Sequence, residues 1–145
     1  MGMYTGLRVK VYVKEEYRDM INRINEGESW GEFSNQFPFL TNFSSLERAY
    51  SIPHGSLCYM PSSWETGDYP NEIATDGFDT KLDTITGYWT FQCSLKNYED
   101  EIACFLNDVL TNIILKSEHI EYRYEEWDES QFYEFIDGAI KLISE

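Results

Sequence analysis

Basic residues are scarce in this chain. Eleven Lys and Arg stand against 26 Asp and Glu, for a net charge of −15. Binding to nucleic-acid phosphates runs on Lys and Arg, so direct nucleic-acid binding is disfavoured. Histidine is scarcer still: the two, His54 and His119, lie far apart. Cysteine is limited to Cys58, Cys93 and Cys104, with no CxxC spacing. A structural zinc site needs four clustered ligands, and these residues supply none. An odd count of scattered thiols reads as free cysteine in a reducing cytosol. No apolar run approaches the ~20 residues of a membrane span, and no charged-then-apolar signal segment opens the chain. A cytoplasmic protein with no membrane partner is expected. There is no P-loop and no G-x-G-x-x-G, and no cofactor or metal is expected.

Aromatic residues, by contrast, make up 17% of the chain. A disordered acidic tail would hold few of them. The length of 145 residues suits one compact domain over 1–145, large enough to bury a core unaided.

The apolar pattern predicts the elements. Leu7 to Val13 alternates as a strand with one buried face. A helix is expected from Glu15 to Glu26, ended by Gly27. Trp30, Phe33 and Phe37, then Phe39 to Leu46, suggest short helices. Ser56 to Met60 reads as a short strand, and 62–77 as a surface loop. Phe78–Asp83 and Tyr88–Leu95 read as a hairpin, with Gly87 supplying its positive φ. Tyr98, Ile102, Phe105, Leu106, Val109, Ile113 and Ile114 form a stripe that predicts a helix of about 19 residues capped by Asn97. His119–Glu126 is a further strand. Gln131–Ile136 and Ala139–Ile143 flank Asp137-Gly138, a type I′ hairpin signal. The expected fold class is α+β: a single antiparallel sheet with a long amphipathic helix and shorter helices packed on one face.

No reaction motif stands out. His54, Ser56 and Cys58 could supply a base and a nucleophile for a hydrolase, but a Pro53-x-Gly55 turn entering a strand explains the same string. Asp76, Asp79 and Asp83 lack the spacing of a calcium loop. A small-molecule-binding regulatory domain is an alternative, with an aromatic pocket lined by Trp30, Tyr59, Trp64 and Trp89. No residue is assigned a catalytic role.

The acids are unevenly placed. Residues 1–50 hold six bases and seven acids; residues 51–145 hold five bases and 19 acids. One dense run is Glu121-Tyr-Arg-Tyr-Glu-Glu-Trp-Asp-Glu129. Strand alternation accounts for Tyr122 and Tyr124. It does not account for Trp127 among Glu126, Asp128 and Glu129 at a turn. Trp127 either folds back on the core or stands as an exposed anchor. Acidity alone serves solubility; the sharper expectation is a basic partner. Such a surface would compete with nucleic acid for a basic groove. In charge and size, with no shared motif, the chain resembles acidic inhibitors of nucleic-acid-processing machinery: immunity, anti-restriction and anti-CRISPR proteins. The expected contact residues are Asp76, Asp79, Asp83, Glu121, Glu125, Glu126, Trp127, Asp128 and Glu129. The partner would be a basic, nucleic-acid-processing protein, bound by a monomer or a dimer of this chain.

Overall fold

This computed structural model describes residues 4–55 and 77–144. Among them, six strands form one antiparallel sheet in the order β2-β3-β1-β4-β5-β6. The strands are β1 (Thr5–Val13), β2 (Lys81–Leu82), β3 (Tyr88–Leu95), β4 (Ile114–Tyr124), β5 (Gln131–Ile136) and β6 (Ala139–Ser144). With the helices between them they make an α+β fold. Among the described residues no helix is long and apolar enough to cross a membrane.

β1 lies at the centre because its alternation suits two partners. Val9 sits opposite Phe91 of β3 and Ile120 of β4. Leu7, Val9, Val11 and Val13 share one face and are fully buried. Trp89, Phe91, Cys93 and Leu95 of β3 continue that face. The short helices bring the other half of this core. Glu15–Tyr17 is a 3-10 turn leading into α1 (Arg18–Asn25), which buries Met20, Ile21 and Ile24. Gly27, at φ 117°, ends it as the sequence predicts. A 3-10 turn at Trp30–Phe33 and another at Pro38–Leu40 lead to α2 (Thr41–Ser44), and α3 (Ser51–His54) follows. Trp30, Phe43 and Phe105 meet with centroids 5.6–5.8 Å apart in tilted and edge-on contacts, the arrangement that ring quadrupoles favour.

The expected long amphipathic helix is absent. The longest helix among the described residues, α4, spans 13 residues over 101–113, and its middle turns, Phe105–Leu110, are π-helical. Both ends of the expected helix are lost to stronger competitors. At the start, the Asn97 side chain accepts the Ile102 N–H at 2.9 Å, and Asp100 takes a left-handed φ of 56°. The buried Glu101 carboxylate accepts the N–H groups of Glu99 and Arg48, each at 3.1 Å. Side-chain oxygens here take backbone donors, which lets an irregular segment replace the first turn. At the other end Ile114 turns to extended backbone and pairs with Val13, so β4 begins five residues before the expected strand.

Two hairpins follow their turn residues. Asp137 and Gly138 have φ of 52° and 80°, the paired positive angles of a type I′ turn between β5 and β6. The β2–β3 hairpin has only two residues in β2, against the six expected. Its turn closes at Gly87, φ 84°, where an added Cβ would stand 2.4 Å from the Val13 carbonyl oxygen and 2.7 Å from Arg18 Nε. Gly87→Ala is therefore expected to destabilise the protein by about 2–3 kcal/mol, since it combines backbone strain with a clash. Urea denaturation measures this; a change under about 0.5 kcal/mol, the range of an ordinary surface substitution, would refute it.

Candidate functional site

Of the first acidic cluster, Asp79 and Asp83 are described and both are exposed. Asp76 lies outside the described residues. Asp79 is exposed, and its backbone carbonyl accepts the Thr90 hydroxyl at 2.6 Å. The Asp83 carboxylate accepts the N–H groups of Thr86 and Ile85, and these bonds hold its carboxyl below the ordinary value. It shapes the β2–β3 turn. Leu82 pairs with Trp89, Trp89 with Val11 and Val11 with Ser117, near the start of β4. The Glu125–Glu129 run follows Tyr124, at that strand's far end. At ~3.3 Å per residue the separation along β4 is roughly 25 Å. Asp83 therefore lies apart from the Glu125–Glu129 run.

Glu121, by contrast, is not a surface residue. It points to the sheet face opposite the helical layer and is 4% exposed. Its Oε1 meets His119 Nε2 at 2.8 Å and Arg8 Nη1 at 3.6 Å, while Oε2 accepts the Ser130 hydroxyl at 2.5 Å. Arg8 in turn donates to Gln92 Oε1 at 2.7 Å. Burial pushes the Glu121 carboxyl up, but the hydrogen bonds from His119 and Ser130 and the Arg8 charge outweigh it, so the net shift is downward. The His119 ring lies between Phe78 and Phe132, at 5.1 and 5.6 Å. Arg8, Gln92, His119 and Ser130 were not singled out from the sequence. Arg8 and Lys10 alternate alike along the strand, so nothing local marked Arg8 as the buried one. The order of groups does not make a hydrolytic triad, because the carboxylate stands between Ser130 and His119. His119 Nε2 serves Glu121 and is not placed to take the Ser130 proton.

The remaining acids form a built turn between β4 and β5. Glu126, Asp128 and Glu129 are exposed. Glu125 is half-buried; its carboxylate accepts the Tyr4 N–H, and its own N–H donates to the Tyr4 carbonyl at 3.0 Å. The Trp127 N–H donates to the Tyr124 carbonyl at 2.9 Å. Behind the turn, buried Arg123 donates to the Trp127 carbonyl through Nη2 at 2.8 Å and Nε at 3.2 Å. Ser130, bonded to Glu121, closes its base. Trp127 is half-buried, its ring 5.7 Å from Tyr122 and 6.2 Å from Tyr124. It both rests on the sheet and reaches solvent among three carboxylates.

Comparison with protein-family models, curated proteins and solved structures finds no match for this chain.

The other two sites proposed from sequence fare differently. Trp30 and Trp89 are 2% and 0% exposed, and both indole N–H groups are used, on the Ile52 carbonyl and on Asn25 Oδ1. They form the core, while Tyr59 and Trp64 lie outside the described residues. His54 is exposed, with Nε2 2.6 Å from the Ile24 carbonyl oxygen, so this nitrogen carries the proton and donates. Ser56 and Cys58 lie outside the described residues. Burial pushes the Cys93 thiol far up, and burial with the Asp108 carboxylate raises Cys104 to about 11. Neither is a ready nucleophile at neutral pH.

Proposed function

We propose that this protein is a small acidic protein-binding inhibitor that occupies a basic, nucleic-acid-binding surface of another protein, in the manner of immunity, anti-restriction or anti-CRISPR proteins. The observation carrying this reading is the β4–β5 turn. Glu126, Asp128 and Glu129 surround a half-exposed Trp127 on backbone clamped from behind by Arg123. An ordered turn loses little freedom on binding, so its charges act without a large entropic penalty. The net charge of −15 attracts a basic partner over a distance and repels nucleic acid. A cytoplasmic location and a nucleic-acid-processing partner go with this reading. Asp83, at the far end of the sheet, is left out of it, as is the buried Glu121.

Affinity capture from nuclease-treated lysate of the native host, at low and at high salt, tests it. A basic nucleic-acid-binding protein held at low salt and weakened at high salt is the expected result. No protein retained at either salt would overturn the reading.

A further inference from the structure

The ring of Trp127 also forms one wall of a cleft on the helical side of the sheet. The cleft holds about 230 Å³ and lies between α4 and the strands β4, β5 and β6. Tyr122 and Tyr133 are its other aromatic walls, with centroids 6.4 Å apart and planes inclined at 74°; the Tyr122 and Trp127 planes meet at 50°. Leu106, from the π-helical part of α4, is buried beneath it, and the exposed Ala103 stands at its helical edge. Gln131 and Trp127 are shared with the shallow depression walled by Glu126, Asp128 and Glu129. Three rings at inclined angles therefore open directly onto three exposed carboxylates.

That pairing selects the occupant. Ring faces are negative and attract a cation once it is partly desolvated. The carboxylates repel an anion, and a neutral apolar ligand would gain nothing from them. An arginine guanidinium is planar, weakly hydrated and suited to stacking, whereas a lysine ammonium holds its water more tightly. The Gln131 side-chain oxygen, which accepts the Tyr133 hydroxyl at 3.3 Å, keeps a second lone pair for a guanidinium N–H.

We propose that this cleft is the specificity pocket of the acidic surface and takes one arginine side chain of the basic partner, stacked among Tyr122, Trp127 and Tyr133 with Glu126, Asp128 and Glu129 meeting its charge. The inference rests on the acidic-inhibitor reading and adds the group that surface recognises.

The test uses N-acetyl-arginine amide as the probe and the Trp127 indole N–H resonance as the readout. The signal is expected to move saturably, with half-saturation at least tenfold lower than for the uncharged citrulline derivative and lower than for the lysine derivative. Ala103→Leu fills the cleft from an exposed helical position and leaves every carboxylate in place; it is expected to abolish the response. An equal response to citrulline, or a titration that survives Ala103→Leu, would overturn the pocket. Equal binding of the lysine derivative would overturn the choice of arginine. The two readings fail separately. If Ala103→Leu leaves partner affinity at the wild-type level while reversal of the acids abolishes it, the cleft inference fails alone. If reversal of the acids leaves partner affinity intact, the acidic-inhibitor reading has failed.

Discussion

Replacing Glu126, Asp128 and Glu129 together by Lys is expected to weaken partner binding by at least about 100-fold, or ~2.7 kcal/mol, while leaving the fold unchanged. All three side chains are exposed, so their removal breaks no packing. Glu125 is deliberately kept, because its carboxylate holds the N–H of Tyr4, the residue before β1. Most of the loss should appear in the association rate, which electrostatic steering raises by roughly 10–1,000-fold. The deficit should shrink as salt rises and the Debye length falls toward ~3 Å near 1 M. Trp127→Ala should behave differently: the charge stays, the association rate stays, and dissociation quickens, because a partly desolvated ring is lost. Surface plasmon resonance against the captured partner at two salt concentrations separates the two effects. Wild-type affinity in the triple variant, with an unchanged circular dichroism spectrum, would remove this turn from the contact.

The elements visible in the sequence were those whose pattern and chemistry agreed locally. The alternation of β1, the Gly27 stop after α1 and the Asp137-Gly138 turn each needed only neighbouring residues to be read. The α4 stripe misled because periodicity counts Tyr98 and Ile114 as helical. Tyr98 is 61% exposed ahead of the helix, and Ile114 is captured by pairing with Val13. That pairing depends on a strand from the other end of the chain, which no local window contains. The same holds for the second face of the sheet. Gln92, Ser94 and Glu121 look like outward residues of half-buried strands, yet they are 0%, 1% and 4% exposed. Burial of a polar face is decided by what covers it and by partners distant in sequence, such as Arg8 for Glu121. For the candidate site, the run around Trp127 was legible from composition alone. Its clamp by Arg123 and its distance from Asp83 required the register.

Glu121→Leu is expected to destabilise the protein by about 3 kcal/mol, lowering the melting temperature by roughly 10 °C. The substitution takes the negative charge away from buried Arg8, leaves the Ser130 hydroxyl without its carboxylate acceptor and removes the bond from His119. Gln92 still accepts from Arg8, which keeps the loss at the lower end for a broken buried pair. Glu121→Gln, which retains an acceptor oxygen but not the charge, should fall between the two. The effect depends on pH in a fixed sense. The Glu121 carboxyl lies below its ordinary 4.5 in the folded protein, so the unfolded chain takes up its proton first as the pH falls. Its stabilisation is therefore complete above about pH 4.5 and is lost as the pH drops through the folded value. The gap between wild type and Glu121→Gln should be full at pH 7 and narrow in acid, which paired urea titrations would show. Adding Arg8→Met to Glu121→Leu should restore part of the lost stability, because an apolar pair needs no compensating charge, less the cost of the donor that buried Gln92 loses. A triple variant with Gln92→Leu added, no more stable than Glu121→Leu, would mean that the ion pair is not what Glu121 contributes. The turn offers a second readout. Ser130 ties Glu121 to the base of the Trp127 turn, so Glu121→Gln should also loosen that turn and broaden the Trp127 indole resonance at a temperature where the sheet remains folded. A sharp, unshifted resonance in a destabilised variant would confine Glu121 to holding the sheet together.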